Sequence, residues 1–137
     1  MRWGGDEFLI VFRDTYTHQI PSVLEELVKN VAKSDVVLPD GKRIRITCSV
    51  GYALFPLNLI GGQLINWDIS LSLAEMALHK VKNHGRSGIA TIVFDDQVDA
   101  FEFEDSDSVA ALVERLLAIE SSRFDIKYVI DDYDDDW

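Results

Sequence analysis

Two short constellations in this chain of 137 residues could do chemistry. The first is Gly4-Gly5-Asp6-Glu7-Phe8. Paired glycines permit positive φ and let a phosphate or a base come close to the backbone, and adjacent carboxylates at a strand start can present oxygen ligands to Mg²⁺. Taken alone, the same string is equally a hairpin turn followed by solvated acids. The second is Lys82, Gly85 and Arg86, inside the run from Ala74 to Ser87. A lysine in a last helical turn and an arginine just past a terminating glycine can grip phosphate oxygens, the lysine as a point charge and the arginine as a fork. They equally complement the dipole at a helix C-terminus.

The elements that must position these groups follow from periodicity. Phe8 to Phe12 is wholly apolar and reads as a strand buried on both faces. Ile20, Val23, Leu24, Leu27, Val28 and Val31 recur at helical spacing, with Thr17 as the expected cap and Pro21 acceptable in a first turn. Asp40-Gly41 signals a turn. From Ile44 to Leu54 apolar residues alternate with Arg43, Arg45, Thr47, Ser49 and Gly51, which predicts one long strand with Cys48 in an inward slot. Pro56 and Gly61-Gly62 predict a loop of about ten residues. A second helix then carries a stripe of Leu71, Ala74, Leu78 and Val81, ended by Gly85, and Ile89 to Phe94 reads as a strand. Beyond it come a helix from about Ser106 to Ser122, a strand at Ile126 to Ile130, and a frayed acidic tail. The chain thus divides into a main unit, residues 1–94, a helix-strand extension, residues 95–130, and a tail, residues 131–137.

Charge follows the same division. Residues 1–94 carry nine acidic and ten basic side chains, net +1, whereas residues 95–137 carry fifteen acidic and three basic, net −12. The excess of −11 therefore belongs to the extension and tail. Such a surface repels DNA, while a small anion held by the near-neutral first part is compatible with it. One cysteine excludes an intramolecular disulfide. No run approaches the roughly 20 apolar residues of a membrane span, and the opening residues lack the pattern of a signal peptide. A reducing, cytoplasmic setting is expected, with membrane anchoring of a longer parent protein left open.

The ordered strings RWGGDEF, CSVGYALFP and AEMALHKVKNHGRS, spread over residues 2 to about 94, resemble the GGDEF family of diguanylate cyclases. Asn66-Trp67-Asp68, read as a loop before the second helix, resembles GGDEF domains at the C-terminal ends of sensory proteins. The resemblance implies an α/β domain of the α+β kind, palm-like and similar to adenylyl cyclase cores. Its central sheet would be mostly antiparallel with packed helices, here followed by the helix-strand extension. It also implies a homodimer in which each copy holds one GTP. Each 3′-hydroxyl attacks the α-phosphorus of the other nucleotide, giving cyclic di-GMP and pyrophosphate in signalling. Carried over residue by residue, Gly4 and Gly5 would line the nucleotide, Asp6 would ligate Mg²⁺ and help deprotonate the hydroxyl, Glu7 would support the site, and Lys82 and Arg86 would neutralise the triphosphate.

The family places an additional metal-binding Asp, the guanine-reading Asn and Asp and the product-inhibition Arg-x-x-Asp before its GGDEF turn, where this sequence has only Met1, Arg2 and Trp3. The expectation is the C-terminal half of a GGDEF domain, inactive by itself, with the upstream half in a longer parent protein. The alternative is a degenerate module that binds nucleotide or dimerises without catalysis. Where the family usually has Asp, Tyr, Ala and Asn, this chain has Glu75, His79, Val81 and Ser87. Ser72 and Glu75 have capping-box spacing. His79 reads as a substitute for the tyrosine rather than a metal ligand, His18 and His84 as surface residues, and Trp3 and Trp67 as packing anchors. With its partners absent, Phe8 to Phe12 would present an unpaired edge and an uncovered face, favouring dimerisation, exchange of elements or aggregation, unless the extension's helix and the strand Ile126 to Ile130 cover some of it.

Overall fold

The apolar run Gly88–Val93 is the strand on which the other elements are assembled. The computed structural model of the chain describes residues 1–55, 57–58, 64–94, 108–118 and 122–129. In chain order the elements are β1 (Arg2–Gly4), β2 (Glu7–Phe8), a 3₁₀ turn (Thr17–Gln19), α1 (Ile20–Ala32), β3 (Asp35–Val37), β4 (Arg43–Arg45) and β5 (Val50–Gly51). There follow β6 (Leu57–Asn58), β7 (Leu64–Ile65), α2 (Trp67–Asn83), β8 (Gly88–Val93), α3 (Val109–Leu117) and β9 (Arg123–Tyr128). This is the mixed helix and strand composition of an α+β domain.

Because successive side chains of a strand point to opposite faces, a strand such as β8, apolar at Ile89, Ala90, Ile92 and Val93, demands cover on both sides. On one face of β8, Ile89 packs with Leu24 and Val28 of α1. On the other, Ala90 packs with Ala77 and Val81 of α2, and Ile92 with Ile69 and Leu73 of α2 and Leu112, Val113 and Leu116 of α3. The sheet is ordered β5-β8-β9, with β5 parallel and β9 antiparallel to β8. Three antiparallel two-stranded pairs, β1-β2, β3-β4 and β6-β7, lie outside it. Along β9, Phe124 and Ile126 join the α2 face, while Lys127 points the other way and donates to Glu25 of α1 at 2.5 Å.

Helix α2 lies so close to β5 that a Cβ on Gly51 would stand 2.1 Å from the Ala74 carbonyl oxygen and 2.3 Å from the Leu78 nitrogen. Both obstacles are backbone, so only glycine fits. A glycine inside a strand pattern marks such an approach.

Several expectations from sequence are corrected. Phe8 to Phe12 is not a buried strand: the ladder covers Glu7–Phe8, Leu9 adds a reciprocal pair of bonds with Met1, and Phe8, Ile10, Val11 and Phe12 are 70, 54, 56 and 43% exposed, because no strand covers them on the other side. The long strand from Ile44 to Leu54 is two short ones, β4 paired with β3 and β5 paired with β8, with residues 46–49 outside any ladder. Thr17 does not cap α1; it lies in the 3₁₀ turn, and Gln19 occupies the cap with Pro21 in the first turn. Asn66, Trp67 and Asp68 are no loop, since the Asn66 side chain caps α2 by accepting from the Ile69 amide at 3.0 Å. Ser72 is consequently interior to the helix and forms no capping box with Glu75. The buried stripe of α2 is Ile69, Leu73, Ala77 and Val81; Leu71, Ala74 and Leu78 line an open cavity instead. Part of the expected ten-residue loop is the β6-β7 pair. Gly85 does end α2, at φ +119, and Asp40-Gly41 does turn. Pro56, Gly61-Gly62, Ser106, Ile130 and the tail lie outside the described residues. Among the described residues, no helix is long and apolar enough to cross a membrane.

Replacing Gly51 by Ala should cost at least about 3 kcal/mol, the upper end for overpacking, because backbone rather than a flexible side chain must move; urea unfolding midpoints measure it. The Lys127 hydrogen bond holds the Glu25 carboxyl below the usual range, against a smaller opposing effect of desolvation. A lowered folded-state value stabilises above the ordinary carboxylate range, and that stabilisation is lost as pH falls through the lowered value. Wild type should therefore lose its advantage over Lys127→Ala on acidification below about pH 4, read from paired urea midpoints.

Candidate functional site

The register Gly4↔Glu7 leaves Gly5 and Asp6 as a two-residue hairpin turn, with Gly5 at φ +50, a conformation that glycine enters without steric cost. Arg2 closes the turn by donating Nε and Nη2 to the Gly5 carbonyl oxygen at 2.9 and 2.7 Å. Nothing lies within 4 Å of where a Cβ on Gly4 or Gly5 would stand, so the surface over the turn is open. The Asp6 carboxylate is exposed and has no partner among the described residues.

Glu7 turns toward α2, where its Oε1 accepts from Lys82 Nζ at 2.7 Å. This ion pair spans 75 positions of sequence and joins the two constellations. Asp6, Glu7, Lys82 and Arg86 all border one open cavity of about 1740 Å³. Its remaining wall is formed by residues 8–17, α1, residues 47–55 and the Leu71, Ala74 and Leu78 side of α2, mostly apolar but with Arg13, Asp14, Thr15 and Thr17 among its polar members. Small-molecule pockets usually enclose about 300–1,000 Å³, so this is a groove with a side open rather than a fitted nucleotide pocket.

Arg86 is held in an unusual way. Gly85, Arg86 and Ser87 all have positive φ, at +119, +64 and +53. For each non-glycine residue that conformation costs about 1–2 kcal/mol. The Arg86 amide donates to the Val81 carbonyl at 3.0 Å and the Ser87 amide to Ser49 Oγ at 3.1 Å, which fixes the stretch. The exposed guanidinium has no partner among the described residues. Lys80 is directed elsewhere, 5.3 Å above the Phe124 ring.

Two contacts here are not legible in motif spacing. The Trp3 indole Nε1 donates to Glu75 Oε1 at 3.1 Å, so Trp3 is a polar anchor rather than a buried one. Glu75 and Lys82 are seven residues apart, two helical turns and about 10 Å along the same face, a spacing that could have signalled a shared partner. Trp67 packs edge-on against Phe55 with centroids 5.5 Å apart. His18, His79 and His84 are exposed.

Among the described residues, no group of three or more His, Cys, Asp or Glu side chains could hold a metal ion. A protein-only cage is therefore not formed. Mg²⁺, however, commonly takes one or two carboxylates and completes its shell with phosphate oxygens and water. The free Asp6 carboxylate, bordering the same cavity as Lys82 and Arg86, is of the type that such a shell uses.

A family model described as "Diguanylate cyclase, GGDEF domain" matches residues 1–88. The chain is 28% identical over 88 residues to "Diguanylate cyclase A" of Treponema denticola, covering 64% of this chain and 22% of that protein. It is 27% identical over 88 residues to "Diguanylate cyclase DosC" of Escherichia coli K12, covering 64% of this chain and 18% of that one. The chain thus spans about a fifth of the length of these relatives. No solved structure matches.

Cys48 borders the same groove, and partial burial pushes its thiol above the usual range. The thiolate is the reactive form. Alkylation of Cys48 by iodoacetamide at neutral pH should be about tenfold or more slower in the native protein than in urea, with its pH profile displaced upward; mass spectrometry of timed quenches measures both.

Proposed function

Since the chain belongs to the GGDEF domain family of diguanylate cyclases, we propose that its groove is the phosphate-and-metal side of a centre that condenses two GTP molecules into cyclic di-GMP, and that this chain alone does not turn over. The observation that carries the reading is the Glu7–Lys82 ion pair, which sets the Gly-Gly-Asp-Glu turn beside the cationic end of α2. Phosphoryl transfer needs positioning and charge neutralisation more than covalent help from protein. Arg86, as a fork, and Lys82, as a point charge, would take triphosphate oxygens. Gly4 and Gly5 leave room over the backbone, and Asp6 would hold Mg²⁺ jointly with the phosphates. When bound, the ion would neutralise charge developing on the transferred group and lower the pKa of the attacking hydroxyl.

Inactivity of the isolated chain follows from what the groove lacks. Its wall beside Ile10–Phe12 is open and apolar, so that although Asp14, Thr15 and Thr47 also border the groove, nothing on that side encloses a base. The segment that would complete it is proposed to come from a longer parent protein, and the paired reaction requires a homodimer. Retention of the domain as a binding module without catalysis is the alternative reading.

Equilibrium titration of the purified chain with the magnesium complexes of GTP and ATP tests this. Both should bind weakly and to a similar extent, and Arg86→Ala should weaken both about tenfold, the loss of one charge-assisted contact. Formation of cyclic di-GMP by this chain, or tight binding selective for guanine, would overturn the claim of incompleteness; indifference to Arg86→Ala would overturn the phosphate site.

A further inference from the structure

The β1-β2 hairpin carries Asp6, a free carboxylate bordering the groove, yet almost nothing apolar holds it. Residues 1–6 are all exposed, and its sheet has two short strands. Isolated two-stranded hairpins are marginal in water. Two long-range polar contacts fasten it to α2, Glu7 to Lys82 and Trp3 to Glu75. They sit two helical turns apart on one face of α2, so together they fix both the position and the direction of the hairpin.

The two contacts are not equivalent. Lys82 borders the groove beside Arg86, so an anion bound there competes with Glu7 for the same ammonium. Glu75 lies two turns away and is an acceptor that no phosphate would engage. Resting on the phosphate reading of the groove, we infer that Glu75 is a positioning residue: through the Trp3 indole it keeps the Gly5-Asp6 turn over the end of α2 when an anion draws Lys82 away from Glu7. The indole N–H donates and the carboxylate accepts, so a glutamine, which retains an acceptor oxygen, can replace Glu75, whereas an alanine cannot.

Amide hydrogen exchange across the full chain tests the role, with α2 and β8 as internal references. Glu75→Ala and Trp3→Phe should each raise exchange of the hairpin amides about tenfold, the expected scale for a hydrogen bond to a charged acceptor. The references should not change, and Glu75→Gln should restore protection. Inorganic triphosphate with Mg²⁺ is the anion probe: in wild type the hairpin should stay protected on saturation, and in Glu75→Ala it should loosen further. Unchanged hairpin exchange in Glu75→Ala would overturn the inference. So would an equal rise in the references, which would mark a general loss of stability. Absence of triphosphate binding to wild type would instead overturn the phosphate reading, and the tether itself would then be judged by the exchange of the unliganded variants.

Discussion

The seating of α2 against Gly51 is the contact on which the site depends. Lys82, Glu75 and the strained turn bearing Arg86 all ride on α2 or leave directly from its end, so their positions are those of the helix. The helix is fixed by backbone meeting backbone at Gly51 and by Ile69, Leu73, Ala77 and Val81 on its buried side. Each large apolar side chain there contributes about 1.5–3 kcal/mol. A partly exposed ion pair such as Glu7–Lys82 contributes about 0–1 kcal/mol. The cations are therefore mounted on the most secure part of the molecule, whereas the carboxylates are held by weak polar contacts.

That difference assigns stability and geometry to different interactions. Removing both polar tethers, Glu7–Lys82 and Trp3–Glu75, would barely alter global unfolding, yet it would free the hairpin, because no buried surface opposes its movement. Segments with few apolar contacts and exposed backbone hydrogen bonds open at free energies far below global unfolding. The extension acts in the other direction. Through β9 on the edge of β8 and α3 over Ile92, it contributes Phe124, Ile126, Leu112, Val113 and Leu116 to the same core that seats α2.

What could be read from sequence was whatever leaves its mark locally. Helices α1, α2 and α3 and strands β8 and β9 were legible because buried faces impose a period of 3.6, a period of two or an apolar run, although α3 ends at Leu117 rather than Ser122 and β9 begins at Arg123 rather than Ile126. Gly85 and Asp40-Gly41 were legible because turn chemistry is local. The Gly4 to Glu7 and Lys82 to Arg86 groups stood out as motifs, but the ion pair that unites them needed coordinates, since 75 residues separate its partners. The failures share a cause. Phe8 to Phe12 has strand composition, but a strand exists only where another pairs with it. Residues 46–49 fail beside it for the same reason. On α2 the stripe chosen from sequence was the wrong one of two: Leu71, Ala74 and Leu78 have helical spacing as good as that of Ile69, Leu73 and Ala77, and no local rule distinguishes them.

The second apolar stripe on α2 is itself informative. A helix apolar on more than one face is built to be covered on more than one. Here that half-buried stripe, seated on Gly51 through Ala74 and Leu78, and the largely exposed run Phe8 to Phe12 border the same groove, together with residues 47–55. Unpaired backbone with strand-forming side chains accepts an extended segment most readily, because such a segment satisfies the ladder while covering the apolar surface. Leu9 already exchanges both of its backbone hydrogen bonds with Met1, so the first residue available to pair with it is Ile10, three positions after Glu7. A strand added there would fix the backbone immediately behind the carboxylates, replacing tethers worth about 1 kcal/mol with a hydrogen-bonded ladder. Cover for the groove and ordering of the Gly5-Asp6 turn would then be coupled, whereas without such a strand the polar tethers to α2 alone hold the turn in place.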